Sequence, residues 1–95
     1  MINATADLFE SLVGQDITVS IVNGTESWRV VSVKRREQHS LRADQPFNAY
    51  LAAPLSNDRR QGIRSSRLPN GETIEFFGVP ISVSKDAVTY ELIFN

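Results

Sequence analysis

The chain has 95 residues, a formal net charge of −1 and no cysteine, which allows one core and excludes a second domain, disulfides, thiolate metal sites and cysteine nucleophiles. Apolar residues at 41% and charged residues at 22% sit near globular averages, so a single folded domain over residues 1–95 is expected rather than disorder. No apolar run approaches the roughly 20 residues that cross a bilayer, and Met1-Ile2-Asn3-Ala4-Thr5 lacks the basic and apolar regions of a signal peptide, so a cytoplasmic location with no membrane attachment is expected.

The first predicted element is a short helix over residues 5–13. Thr5 can cap it, Leu8, Phe9, Leu12 and Val13 fall at helical spacing, and Gly14 can supply the left-handed residue that ends it. Two turns of helix are marginal alone, so Leu8, Phe9 and Leu12 are expected to lie against a sheet as a plug or lid. From Asp16 the period becomes two. Ile17, Val19 and Ile21 face one way, Thr18 and Ser20 the other, and Asn23-Gly24 signals a hairpin.

Trp28 to Val33 supplies the partner strand, with enough β-branched residues to be covered on both faces, and Trp28 reads as core or core rim. Residues 34–45 are polar, a solvated strand end plus loop. Pro46 then introduces Phe47, Ala49, Leu51 and Ala53 on one face, and Pro54 cannot continue a central ladder. After a connection over residues 55–62, strands 63–68 and 72–83 flank the turn Pro69-Asn70-Gly71. Phe76 and Phe77 are adjacent, so one of them changes face, and Gly78 and Pro80 predict a bulge or bend. After a turn at Ser84-Lys85-Asp86, Val88, Tyr90, Leu92 and Phe94 share one face of a last strand. Thr89, Glu91 and Asn95 face the other way, with Ile93 the only apolar residue among them. The whole predicts an all-β, mainly antiparallel domain: a small six-stranded barrel or rolled sheet over residues 16–95 with one short N-terminal helix.

The segments Leu12-Val13-Gly14-Gln15, Phe47 to Pro54, Gln61-Gly62-Ile63, Phe76-Phe77-Gly78-Val79-Pro80-Ile81 and Tyr90-Glu91-Leu92-Ile93-Phe94-Asn95 together resemble a family of short bacterial β domains of unknown function, whose chains end in a Tyr-Glu-x-x-Phe-Asn motif. The likeness runs in order through nearly the whole chain. This chain carries Ala53-Pro54 where that family carries Gly-Pro, and Ser66-Arg67 where it carries a histidine. The resemblance implies no activity. It implies an accessory role beside proteins resembling phage tail collar fibres.

Charge is unevenly spread. The segment from Lys34 to Arg67 holds Lys34, Arg35, Arg36, Arg42, Arg59, Arg60, Arg64 and Arg67 against Glu37, Asp44 and Asp58, while the flanks are net acidic. If the loops Lys34 to Arg42 and Asp58 to Arg67 meet, Arg35, Arg36, Arg59, Arg60 and Arg64 form a patch for nucleic acid or another polyanion, with Tyr50 as its stacking aromatic. The competing arrangement pairs acidic with basic positions across the sheet, so that the charges cancel in space.

Catalytic signals are thin. His39 is the only histidine and lies beside Glu37 in a polar run, no glycine-flanked serine elbow occurs, and Glu72 and Glu75 flank a hairpin. No metal-ligand spacing or phosphate-cradling glycine loop is present, so neither a cofactor nor a small-molecule substrate is expected. The expected function is non-catalytic: an interaction or assembly module that meets a protein partner or a second copy of itself. Polyanion binding is the alternative, and a small enzyme comes last. Ile93 is the candidate contact on the last strand. If that strand or the Phe47 strand lies at an exposed edge, a partner chain can pair with it.

Overall fold

The computed structural model describes residues 4–37, 46–55 and 60–94. A helix α1 (Ala6–Ser11) precedes six strands, β1 (Asp16–Ile21), β2 (Gly24–Arg35), β3 (Phe47–Pro54), β4 (Gly62–Arg67), β5 (Thr73–Val83) and β6 (Ala87–Phe94). The strands close into an antiparallel barrel in the order β1-β2-β3-β6-β5-β4. Two three-stranded meanders, β1 to β3 and β4 to β6, stand side by side. One junction is long, running from Phe47↔Phe94 to Pro54↔Ala87 along β3 and β6. The other, between β1 and β4, is two rungs, Thr18↔Arg67 and Val19↔Ser66. Closure places β3 between β2 and β6, and β6 between β3 and β5. Neither strand is an edge, so the edge-pairing route to a partner expected for the Phe47 strand and the last strand is excluded.

Alternation builds the core. Phe47, Ala49, Leu51 and Ala53 of β3 and Val88, Tyr90 and Leu92 of β6 are all buried, as are Ile17, Val19, Trp28 and Val30. Each inward residue meets an inward neighbour across the ladder, Leu51 against Tyr90 and Ile17 against Trp28. Two aromatic groups fill the interior. Phe47 and Phe94 stack at 4.6 Å, and Phe9 of α1 lies on both at 5.8 and 5.2 Å. Trp28 stacks on Tyr90 at 4.2 Å and meets Phe76 at 5.9 Å.

The helix is shorter than its apolar pattern suggests. Thr5 caps it by accepting from the Leu8 amide at 3.1 Å, and Ala6, Phe9 and Leu12 are buried while Val13 faces solvent. Gly14 follows with φ +88° and donates its amide to the Val30 carbonyl at 2.8 Å, turning the chain from helix into barrel.

Two details depart from the sequence-based expectation. The first hairpin loop is Val22-Asn23, with Ile21↔Gly24 as the last rung, so the turn sits one residue earlier than the Asn-Gly pair implies. In β2 the run Trp28 to Val33 is not covered on both faces. A bulge between Val30 and Ser32 inserts an extra residue, and Val31 turns outward, 51% exposed. The bulge or bend expected near Gly78 and Pro80 is present as a bulge between Pro80 and Ser82, where Ile81 faces outward. Phe76 and Phe77 need no bulge, because simple alternation puts Phe76 inside and Phe77 outside.

Candidate interaction surface

The outer face of the second meander carries the feature that best fits recognition. Ile63 of β4 pairs with Phe77 of β5, and Phe77 pairs in turn with Ile93 of β6. Residues in register across adjacent strands project from the same face, so these three apolar side chains form one row across three strands. Ile63 is 72% exposed, Phe77 is 40% exposed and Ile93 is half-buried. Periodicity had marked Ile93 alone. Its neighbours were missed because a single strand's pattern does not say which outward residue lies beside which.

On the next row, Glu91 of β6 gathers two donors from β3. Tyr50 donates its hydroxyl at 2.7 Å and Asn48 its amide at 3.3 Å. The bond to Glu91 holds the Tyr50 phenol protonated above its usual range, and partial burial adds to the shift. Tyr50 is therefore tied to the sheet as part of a polar flank to the apolar row, rather than standing free as a stacking platform.

The basic residues divide three ways. Arg35 spans from the end of β2 to α1, donating to both Asp7 and Glu10, and its pKa is raised by those two bonds, Glu10 first. Arg36 donates to the Phe94 carbonyl at 2.6 Å. Arg60 is exposed just before β4. Arg29 pairs with Asp16 at 3.2 Å across β1 and β2, so acidic and basic positions partly cancel across the sheet.

Arg64 corrects its expected place on the surface. It points into the barrel, 5% exposed, with its guanidinium 5.4 Å from the Trp28 ring centre and 5.6 Å from that of Tyr90. It also donates to the Arg60 carbonyl at 3.2 Å. Flat and weakly hydrated, a guanidinium can lie against aromatic faces inside a protein where an ammonium cannot. Arg59, Arg42 and His39 lie outside the described residues. Among those described, Arg35 and Arg64 are withdrawn from any polyanion patch, one by ion pairing and one by burial.

Among the described residues, no group of three or more His, Asp or Glu side chains is placed to hold a metal, and no helix is long and apolar enough to cross a membrane. Glu72 is occupied at the β4–β5 turn. Its carboxylate accepts from the Asn70 side-chain amide at 3.1 Å while its own backbone amide donates back to Asn70 Oδ1 at 2.9 Å, beside Gly71 at φ +90°. Trp28 donates to the Glu26 carboxylate at 3.0 Å from a fully buried ring.

The chain belongs to the family described as Domain of unknown function (DUF6916), which it matches over residues 4–94. No curated protein and no solved structure matches it.

Proposed function

We propose that the domain is a non-catalytic protein-interaction or assembly module that docks through the Ile63-Phe77-Ile93 row and works in the cytoplasm. One observation carries this reading: three apolar side chains on adjacent strands are held in register on the solvent face of a closed barrel. An apolar residue exposed singly needs no explanation, whereas a contiguous patch rimmed by polar groups is characteristic of interaction sites. An aromatic anchor at its centre is what recognition surfaces favour. The rigid ladder beneath the row costs a partner little ordering entropy.

The test substitutes Phe77→Glu and compares it with the wild-type chain by light scattering over a concentration series and by co-purification from the source cell. Wild type is expected to self-associate or to retain a specific protein, and the variant to lose that association with an unchanged unfolding midpoint. A wild-type chain that stays monomeric and retains the same proteins as Phe77→Glu would overturn the reading. The resemblance implies an accessory role beside a tail-collar-like fibre, and recovery of a fibre chain that Phe77→Glu loses would support that setting.

A further inference from the structure

The apolar row begins at a strand edge that closure of the barrel leaves open. The β1–β4 junction has two rungs, Thr18↔Arg67 and Val19↔Ser66. Continued in that register, Ile63 would oppose Val22, but β1 ends at Ile21 and Val22 sits in the hairpin loop, 66% exposed. The first residues of β4 therefore pair with β5 on one side and, among the described residues, with no strand on the other. A hollow of about 100 Å³ lies beside Arg60 to Arg64, and no residue of β1 lines it.

The β4–β5 ladder fixes which backbone groups face that gap. Leu68 donates its amide to the Glu72 carbonyl at 2.8 Å, a contact that continues the register of Arg67↔Thr73. Bonded and non-bonded pairs alternate along an antiparallel ladder. Gly62, Arg64 and Ser66 therefore bond to β5, while the amides of Ile63 and Ser65 and the carbonyl of Ile63 turn away from it. Open edges are ordinarily guarded by lysine, proline, a bulge or an unpartnered inward charge. Residues 61–66 contain no lysine or proline, and their ladder with β5 has no bulge. The inward charge, Arg64, already lies on Trp28 and Tyr90 of its own barrel.

We propose that β4 pairs edge to edge with β4 of a second copy, antiparallel about a two-fold axis that sets the two Ile63 residues opposite each other. The contact is isologous, each copy offering what the other accepts. In this register the two Ile63 residues exchange a pair of backbone hydrogen bonds, and each Ser65 amide meets the Gln61 carbonyl across the axis. The side chains agree. On the outer face Ile63 meets Ile63 and Ser65 meets Gln61, apolar beside apolar and polar beside polar. On the inner face Arg64 lies opposite Gly62, where an added Cβ would find nothing within 4 Å. Shifting the axis by one residue would instead set Arg64 against Arg64, a like-charge pair. Paired through Ile63, the two apolar rows join into one of six residues that crosses both barrels. Five residues a side make a small contact, so the dimer is weak and forms with rising concentration.

The experiment follows amide exchange and sedimentation of the intact chain over a concentration series. Dimers are expected by about 1 mM, with the Ile63 and Ser65 amides gaining protection as they form, while the Arg64 and Ser66 amides, bonded to β5, are protected throughout. Ser65→Pro removes an amide that β5 does not use, and it is expected to weaken the dimer at least about tenfold, since each copy loses a hydrogen bond and the ring blocks close approach. In a chain without cysteine, Ile63→Cys places two thiols across the axis with Cα atoms about 5.5 Å apart, within disulfide reach. It should cross-link at least about tenfold faster than the exposed Val83→Cys, because pairing raises the effective thiol concentration. This readout stands whether or not the fold tolerates proline at position 65. The proposal fails if the chain stays monomeric to about 1 mM, if dimers form while the Ile63 and Ser65 amides stay unprotected, if folded Ser65→Pro dimerises as wild type does, or if the two cysteine variants cross-link at equal rates. Phe77→Glu keeps the β4 edge and is expected to keep the dimer. Docking on the row is then read from larger assemblies or a retained protein, and either proposal can fail without the other.

Discussion

Arg64 holds its guanidinium 5.4 Å from the centre of the Trp28 ring, inside the barrel, while Ile63, one residue earlier, is 72% exposed. Strand β4 thus turns the usual order around, with its charge inward and its branched alkyl group outward. The inversion is stable because Trp28 and Tyr90 give the cation two aromatic faces and the Arg60 carbonyl accepts one of its hydrogens.

Replacing Arg64 should accordingly act as a core substitution. Arg64→Ala removes the side chain that covers both rings and is expected to cost about 2–4 kcal/mol, in the range of large-to-small changes at buried sites. Arg64→Lys should recover less than half of that, since an ammonium has neither the flat face nor the weak hydration that burial requires. Urea unfolding checks both values. An Arg64→Ala midpoint equal to wild type would mean that the stack contributes nothing to the fold.

Ile63 and Ile74 make a matched pair on adjacent strands, one exposed and one buried at 1%. Ile74→Asn places an amide against the barrel interior and is expected to cost about 3 kcal/mol or more. Ile63→Asn should fall within about 0.5 kcal/mol of wild type while weakening whatever docks on the apolar row. Equal destabilisation by the two substitutions would contradict the register Ile63↔Phe77.

Much of this fold could be read from alternation, and the failures have physical causes. Phe47 to Ala53 and Val88 to Leu92 read correctly because each buries every second side chain against a partner doing the same. The run Trp28 to Val33 did not, because its β-branched residues imply cover on both faces whereas Val31, at the bulge, faces solvent. The apolar row was only a third visible. Ile93 stands out on its own strand, but its junction with Phe77 and Ile63 depends on three strands' registers, which no single segment encodes. The inward turn of Arg64 contradicts hydropathy outright and becomes intelligible only once Trp28 and Tyr90 are seen stacked beside it.

Tyr50 should leave a signature at alkaline pH. Its folded pKa is raised by the bond to Glu91, so the fold favours the protonated phenol. That stabilisation is complete below the unfolded value of about 10 and is lost as pH rises through the higher folded value. Tyr50→Phe should therefore cost about 1 kcal/mol at neutral pH, a modest figure because the pair is only half-buried, and the gap to wild type should close in strong alkali. Unfolding of both chains at neutral pH and above pH 10 measures it. A gap that widens with pH would reverse the assigned sign.

The helix lid gives the last prediction, since its two anchors differ in kind. Phe9 is fully buried and rests on Phe47 and Phe94, whereas Arg35 reaches Asp7 and Glu10 at the surface. Burial dominates, because exposed ion pairs contribute little and are screened by salt while a buried ring contributes several times more. Phe9→Ala is expected to lower stability by about 3–5 kcal/mol and to speed amide exchange across α1. Arg35→Gln should change stability slightly, and only at low salt, with the α1 amides still protected. Hydrogen exchange on the two variants separates the contributions, and an α1 that loses its protection in Arg35→Gln but not in Phe9→Ala would show that the ion pairs, not the phenyl ring, hold the lid.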